Sequence, residues 1–189
     1  MLIAMIWKTL YWAWIVTEVL VLVVTRTRNG GGKISDRGSL AVLWVVIVCS
    51  IALSSWATAV YRPATFRAGS WIVYACLGMM ALGLVIRWTA IYTLGKAFSA
   101  NVAIHARQKL NRSGLFRIMR HPSYTGMVLI FLAMGMATRN GLGLVLFVVP
   151  PVVALLYRMH VEEAALTGAF GAEYVEYRRT TKRLIPGIY

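Results

Sequence analysis

The chain has 189 residues, 59% of them hydrophobic, with a mean hydropathy of +0.69; soluble domains use roughly 45–50% apolar residues, so a water-soluble globular domain is excluded. The length suits one membrane-embedded unit and leaves little for a second, soluble one. The formal net charge of +14, from 20 Lys+Arg against 6 Asp+Glu, would suggest nucleic acid on a soluble protein, but here the positions of the charges explain it and no nucleic-acid partner is expected.

Five apolar segments follow in chain order, at 2–24, 40–60, 71–94, 122–138 and 141–157. Each approaches the length of about 20 residues that spans a bilayer as a helix, and without water to satisfy the backbone such spans must be helical. The first has no basic residues before it and is interrupted by Glu18, which reads as a retained span rather than a signal peptide. Aromatic residues sit towards the span ends, as an interfacial belt requires: Trp7, Tyr11 and Trp12, then Trp56 and Tyr61, Trp71 and Tyr74, Trp88 and Tyr92. Gly30-Gly31-Gly32 reads as a flexible turn; Lys33 follows it without a GK[ST] element, so no phosphate loop is expected. No GxGxxG follows a predicted strand, which excludes a Rossmann cofactor site. Cys49 and Cys76 fall in different apolar runs without ligand spacing, and no metal site is expected. Only Arg139 and Asn140 separate the last two spans, which form a helical hairpin, and Pro150-Pro151 should kink or locally break the fifth.

The cations are unevenly placed. Arg26, Arg28, Lys33 and Arg37 follow span one; Lys96, Arg107, Lys109, Arg112, Arg117 and Arg120 follow span three; Arg158, Arg178, Arg179, Lys182 and Arg183 end the chain. The opposite side carries Arg62, Arg67 and Arg139, fifteen against three. The positive-inside rule then sets the N-terminus outside and the C-terminus in the cytoplasm, with some affinity for anionic lipid headgroups. The expected fold is all-α: a polytopic membrane helical bundle of five transmembrane helices with a cytoplasmic-side amphipathic C-terminal helix.

Polar, ionisable and glycine residues concentrate between positions 87 and 186. Arg120-His121-Pro122-Ser123-Tyr124-Thr125-Gly126 opens span four. Pro122 suits a first helical turn and pushes His121 out of helical geometry. Free amides at Ser123, Tyr124 and Thr125, backed by the helix dipole, would make an anion site, with Arg120 and His121 adding donors; the plainer reading is a helix cap with interfacial anchors. Beyond span five, Arg158 and Glu162 lie four apart and share a helical face, as a surface ion pair or as a site. Leu166, Phe170, Tyr174 and Tyr177 then mark one amphipathic tail helix across the membrane surface.

The heptad, the Arg158, Glu162 and Glu163 set two spans later, the run from Phe170 to Arg179 and the terminal Arg183-Leu184-Ile185-Pro186 resemble the isoprenylcysteine carboxyl methyltransferase family and its bacterial and archaeal relatives. Arg87-Trp88, residues 94–99 and Leu110 through Phe116 also fit, so the resemblance covers about 100 residues, 87–186. It divides the chain into N-terminal transmembrane helices, 1–86, and a membrane-embedded methyltransferase core with its tail, 87–189. It implies S-adenosylmethionine as cofactor, held by helices and tail. Cofactor contacts are implied at Asn101, at Gln108, Lys109, Leu110 and Asn111, at Phe116, at His121, Pro122, Ser123 and Tyr124, and at Glu162. Contact with the substrate carboxylate is implied at Arg158. Several relatives carry tyrosine where this chain has Phe116.

The residue chemistry agrees with that resemblance. A sulfonium methyl is already activated, so transfer to a carboxylate needs alignment and exclusion of water more than a strong base. Arg158 can hold a carboxylate bidentately; Glu162, one turn on, can bind ribose hydroxyls or offset the sulfonium. A lipophilic or prenylated acceptor would arrive laterally from the membrane lipids and the polar cofactor from the cytoplasm. The competing readings are a phospholipid or lipid amine methyltransferase, with Glu162 or Glu163 as base, an NADPH-dependent membrane reductase of the sterol-reductase type, and a non-enzymatic scaffold or channel subunit. A channel should repeat polar residues along several spans, whereas here they cluster at one rim.

Overall fold

The structure, a computed structural model, describes residues 2–28, 33–34, 38–95, 98, 103–104 and 109–189. The triple-glycine turn and the cofactor contacts expected at Asn101 and Gln108 lie outside the described residues. Among the described residues there are six α-helices: α1 Leu2–Arg28, α2 Ser39–Val60, α3 Trp71–Leu94, α4 Pro122–Ala137, α5 Gly141–Phe170 and α6 Ala172–Thr180. A two-residue antiparallel pairing joins β1 (Lys33–Ile34) to β2 (Ala103–Ile104). Helices α1, α2, α3 and α5 are long and apolar enough to cross a membrane, and α4 is a shorter apolar helix. The chain is a multi-pass membrane protein built as a helical bundle.

Small residues allow a close crossing of α3 and α4. Lipid gives little hydrophobic drive for helices to associate, so close packing and polar contacts hold them together. Where α3 meets α4, a Cβ built on Gly126 would stand 2.5 Å from the Gly83 carbonyl oxygen and 2.9 Å from the Arg87 backbone nitrogen. Neither backbone atom can give way, so only glycine fits. Ile130, Phe131, Leu155 and Met159 are buried in the core, Ile130 against Gly83 of α3, and Trp14 of α1 meets Phe131 edge-on with ring centroids 6.4 Å apart.

The end of the bundle that carries the hairpin is tied by polar contacts. Asn140 caps α5, accepting from the Gly143 amide at 2.9 Å, and donates its Nδ2 hydrogen to the Tyr61 carbonyl at 2.9 Å. Phe66 donates its amide to the Arg139 carbonyl at 3.0 Å. Arg139 adopts a left-handed φ of 52° to make this two-residue corner. Ser54 of α2 donates to the Gly143 carbonyl at 2.8 Å, within the α2–α5 contact.

Two sequence expectations are corrected here. Pro150 and Pro151 remove two backbone donors, yet they do not break α5, which is helical from Gly141 to Phe170. It is packed against both α2 and α4, and that packing keeps the segment helical where its own ladder is incomplete. The fifth helix also extends thirteen residues past its expected end at 157, and no single tail helix carries Leu166, Phe170, Tyr174 and Tyr177. Gly171, at φ 53° and ψ −126°, divides α5 from α6, a backbone state open essentially to glycine alone. Leu166 and Phe170 stay on α5, while Tyr174 and Tyr177 are buried on α6.

Candidate functional site

The polar residues gather where the first turn of α2, the last turn of α3, the first turn of α4 and the outer half of α5 meet the C-terminal tail. Pro122 starts α4 and leaves His121 non-helical at φ −123° and ψ 56°. The tail runs beside this turn. Lys182 accepts the Arg120 amide at 2.7 Å, Arg183 accepts the His121 amide at 2.9 Å, and the Leu184 carbonyl accepts the Thr125 hydroxyl at 2.8 Å. The residues before α4 are thereby fixed by backbone bonds to the last ten residues of the chain.

Two adjacent glutamates on α5 have different surroundings. Glu163 accepts from Arg120 Nε at 3.1 Å and from Arg183 Nη2 at 2.8 Å, and lies 3.2 Å from His121 Nε2. Three basic side chains thus enclose one carboxylate whose side chain is 4% exposed. Glu162 is 30% exposed; it accepts the Tyr124 hydroxyl at 2.8 Å and lies 3.9 Å from His121 Nδ1. Glu163 is therefore enclosed by the chain's own cations, and Glu162 is the more exposed of the two carboxylates.

Arg158, one turn before Glu162, is 3% exposed. It donates Nε–H to the Tyr124 hydroxyl at 3.0 Å and Nη1–H to Ser39 of α2 at 3.0 Å. A single phenol therefore bridges Arg158 and Glu162, accepting from one and donating to the other. His121 stacks on Tyr124 with centroids 5.4 Å apart and planes 19° from parallel, which sets the position of that phenol.

Beneath the site, within the bundle, Arg87 of α3 forms a two-pronged pair with Glu18 of α1, its Nε to one carboxylate oxygen and Nη2 to the other at 2.6 Å. Its Nη1 donates to Ser123 at 2.7 Å. This triad locks α1, α3 and the start of α4 together.

His121, Pro122, Tyr124, Arg158 and Glu162 come together as the sequence suggests. Ser123 stands beside them, but its side chain turns to Arg87. Of the three amides expected to be free for an anion, those of Tyr124 and Thr125 are used within the chain, donating to the His121 carbonyl at 3.0 and 3.1 Å. Arg120 is likewise committed to Glu163 and to the carbonyls of Arg178 and Thr181. Asn111 is used in the chain itself: Nδ2 donates to the Thr93 carbonyl at 2.9 Å, and Oδ1 accepts the Ser113 amide at 2.9 Å. Lys109 is exposed, Leu110 half-buried and Phe116 buried. The Phe116 carbonyl accepts the Tyr177 hydroxyl at 2.5 Å, and burial pushes the Tyr177 phenol up to about 12.

Sequence reasoning missed the enclosure of Glu163, the part played by Arg183, and the Glu18–Arg87–Ser123 triad. The triad had a readable signal, since Glu18 is the one acid of its apolar span and Arg87 the one charge of its own, and intramembrane charges of opposite sign pair.

Residues 76–168 match the isoprenylcysteine carboxyl methyltransferase (ICMT) family. The chain is 33% identical over 118 residues to protein-S-isoprenylcysteine O-methyltransferase B of Arabidopsis thaliana, covering 61% of this chain and 60% of that protein, less than two thirds of its length. It is 27% identical over 184 residues to a probable protein-S-isoprenylcysteine O-methyltransferase of Oryza sativa subsp. indica, covering 93% of this chain and 96% of that one. A shorter stretch of 75 residues is 35% identical to methanethiol S-methyltransferase 2 of Bradyrhizobium diazoefficiens, covering 40% of this chain and 28% of that protein.

Proposed function

We propose that the chain is a methyltransferase of the isoprenylcysteine carboxyl methyltransferase family, a reading that its similarity to that family supports, and that it methylates the carboxylate of a lipophilic, prenylated acceptor with S-adenosylmethionine as the donor. The observation that carries this reading is the alignment of Arg158 and Glu162 on one face of α5, bridged by the Tyr124 hydroxyl. A cationic fork and an open carboxylate one turn apart suit two reactants of opposite charge held side by side.

The residues present fit the donor. Glu162 offers an open carboxylate to hydroxyls or to a sulfonium, and the stacked His121 and Tyr124 offer an aromatic wall. When bound, S-adenosylmethionine supplies an activated methyl whose transfer breaks one C–S bond, forms one C–O bond and moves no proton. The chain's own work is then positional. Arg158 orients the acceptor carboxylate and Tyr124 holds Arg158 and Glu162 in register. Glu163 holds the tail and the turn before α4 in place. The absence of any proton to remove accords with Glu163 being enclosed by cations rather than free as a base. The site faces the cytoplasm, where charge places the tail, and the acceptor reaches it from the lipid side of α5.

Purified protein tests the reading directly. S-adenosylhomocysteine should bind and NADPH should not; the reverse result points to the reductase chemistry instead. Arg158→Lys should lower single-turnover methyl transfer by about 10- to 100-fold, the scale of a lost charge-assisted hydrogen bond, while keeping S-adenosylhomocysteine affinity. Glu162→Gln should weaken that affinity instead. Matching mild effects in both variants would return the pair to an ordinary structural contact.

A further inference from the structure

Tyr174 is 1% exposed, and among the described residues its hydroxyl has no hydrogen-bond partner. Buried hydroxyls in native proteins are nearly always paired, because leaving one unpaired is destabilising. The contrast with its neighbour is informative. Tyr177 lies on the same face of α6, its ring centroid 6.0 Å away, and its hydroxyl is spent on the Phe116 carbonyl. One phenol of the pair is satisfied by the chain and the other is not.

The charged groups whose fields reach the Tyr174 phenol are Glu163, Glu162, Arg120 and Arg178. Arg120 and Glu163 bond to one another, and Arg178 lies on the exposed side of α6. Glu162 remains as the open member. A neutral phenol can donate its O–H and accept through its oxygen lone pairs. Groups able to donate to that oxygen include hydroxyls and ammonium groups. S-adenosylmethionine carries the first on its ribose and the second on its amino-acid end.

We infer that the buried phenol of Tyr174 is a binding contact for the methyl donor, accepting a hydrogen bond from a ribose hydroxyl or the α-ammonium. This rests on the methyl-transfer reading and adds a residue of α6 to the donor site. It also assigns a reason for the break at Gly171. A helix continuing straight from α5 would not fold back to bury Tyr174 near Glu162 and Glu163.

Tyr174→Phe separates a binding role from a packing role, because the two move different readouts. S-adenosylhomocysteine should bind about 5- to 30-fold more weakly, the scale of one lost hydrogen bond to a charged or polar group. The ligand-free Tm should stay level or rise, since a buried unpaired hydroxyl has been removed. Calorimetry with 5′-methylthioadenosine locates the contact: a similar loss places it on the ribose, and no loss places it on the amino-acid end. S-adenosylhomocysteine affinity within twofold of wild type would overturn the inference while leaving the methyl-transfer reading intact. A ligand-free Tm lowered by several degrees would also overturn it, by revealing a structural partner for the hydroxyl. Wild-type protein that binds NADPH and no S-adenosylhomocysteine would overturn both together.

Discussion

Arg158 donates its Nε hydrogen to the hydroxyl of Tyr124 at 3.0 Å, and that hydroxyl is spent on Glu162. If the two ends of this relay hold acceptor and donor, occupation of one should alter affinity for the other, and by linkage the effect is reciprocal. Tyr124→Phe keeps the ring that stacks on His121 and removes only the link. In wild type, a lipophilic carboxylate should change S-adenosylhomocysteine affinity by a coupling of about 1–3 kcal/mol. The variant should show independent binding. Equal coupling in both proteins would mean that the phenol is not the connection.

Glu18 and Arg87 form a buried ion pair inside the bundle. Removing one partner strands the other charge, which typically costs about 3–5 kcal/mol. Glu18→Ala should therefore destabilise strongly. Glu18→Leu with Arg87→Met should recover most of the loss, since apolar replacements leave no charge to strand. Reversible unfolding in mixed micelles measures both. A double variant as unstable as the single one would show that packing around these positions, not the stranded charge, is responsible.

The tail should be sensitive to alkali. Burial raises the Tyr177 phenol from 10.0 to about 12. Its contribution is therefore fully present below pH about 10 and lost as pH rises through about 12, because the unfolded chain ionises first. Melting temperature should fall across that window, and Tyr177→Phe should lower the starting value while flattening the slope. A slope unchanged in the variant would assign the alkaline loss to other groups.

Topology is accessible by labelling. Ser70 and Thr180 are both exposed and lie at opposite ends of the bundle. Single cysteines there, in a background lacking Cys49 and Cys76, should react with impermeant reagents from outside and from the cytoplasm respectively. Reaction of both from the same side contradicts the arrangement drawn from the cation asymmetry.

The spans were legible because lipid leaves the backbone one local solution and the composition says where it applies. The true end of α5 was not. Arg158, Glu162 and Glu163 look like the edge of an apolar helix, and only partners from α2, α4 and the tail keep that stretch helical. Spacings of four, four and three from Leu166 to Tyr177 suggested one continuous face, whereas the positive φ of Gly171 is a property of the folded chain. At the site, His121, Tyr124, Arg158 and Glu162 could be picked from residue type and spacing. The pairing of Arg120 and His121 with Lys182 and Arg183 joins positions some sixty residues apart, and no local pattern announces it. That pairing also separates Glu163 from Glu162, two neighbours that the sequence could not rank.

Helix α4 has 16 residues, about 24 Å at 1.5 Å per residue, against a hydrocarbon layer of about 30 Å. Its far end is pinned at the Arg139–Asn140 corner. With that corner at one interface, Pro122 stops roughly 6 Å beneath the opposite headgroup plane. The surrounding lipid must dimple to meet it, at a modest cost for each ångström of mismatch. Bilayer thickness thereby becomes a dimension of the reaction. On the proposed methyl-transfer reading, an acceptor dissolved in the acyl chains would not need to climb into the headgroups to be modified, and a thicker membrane would deepen the well that a water-borne donor has to descend.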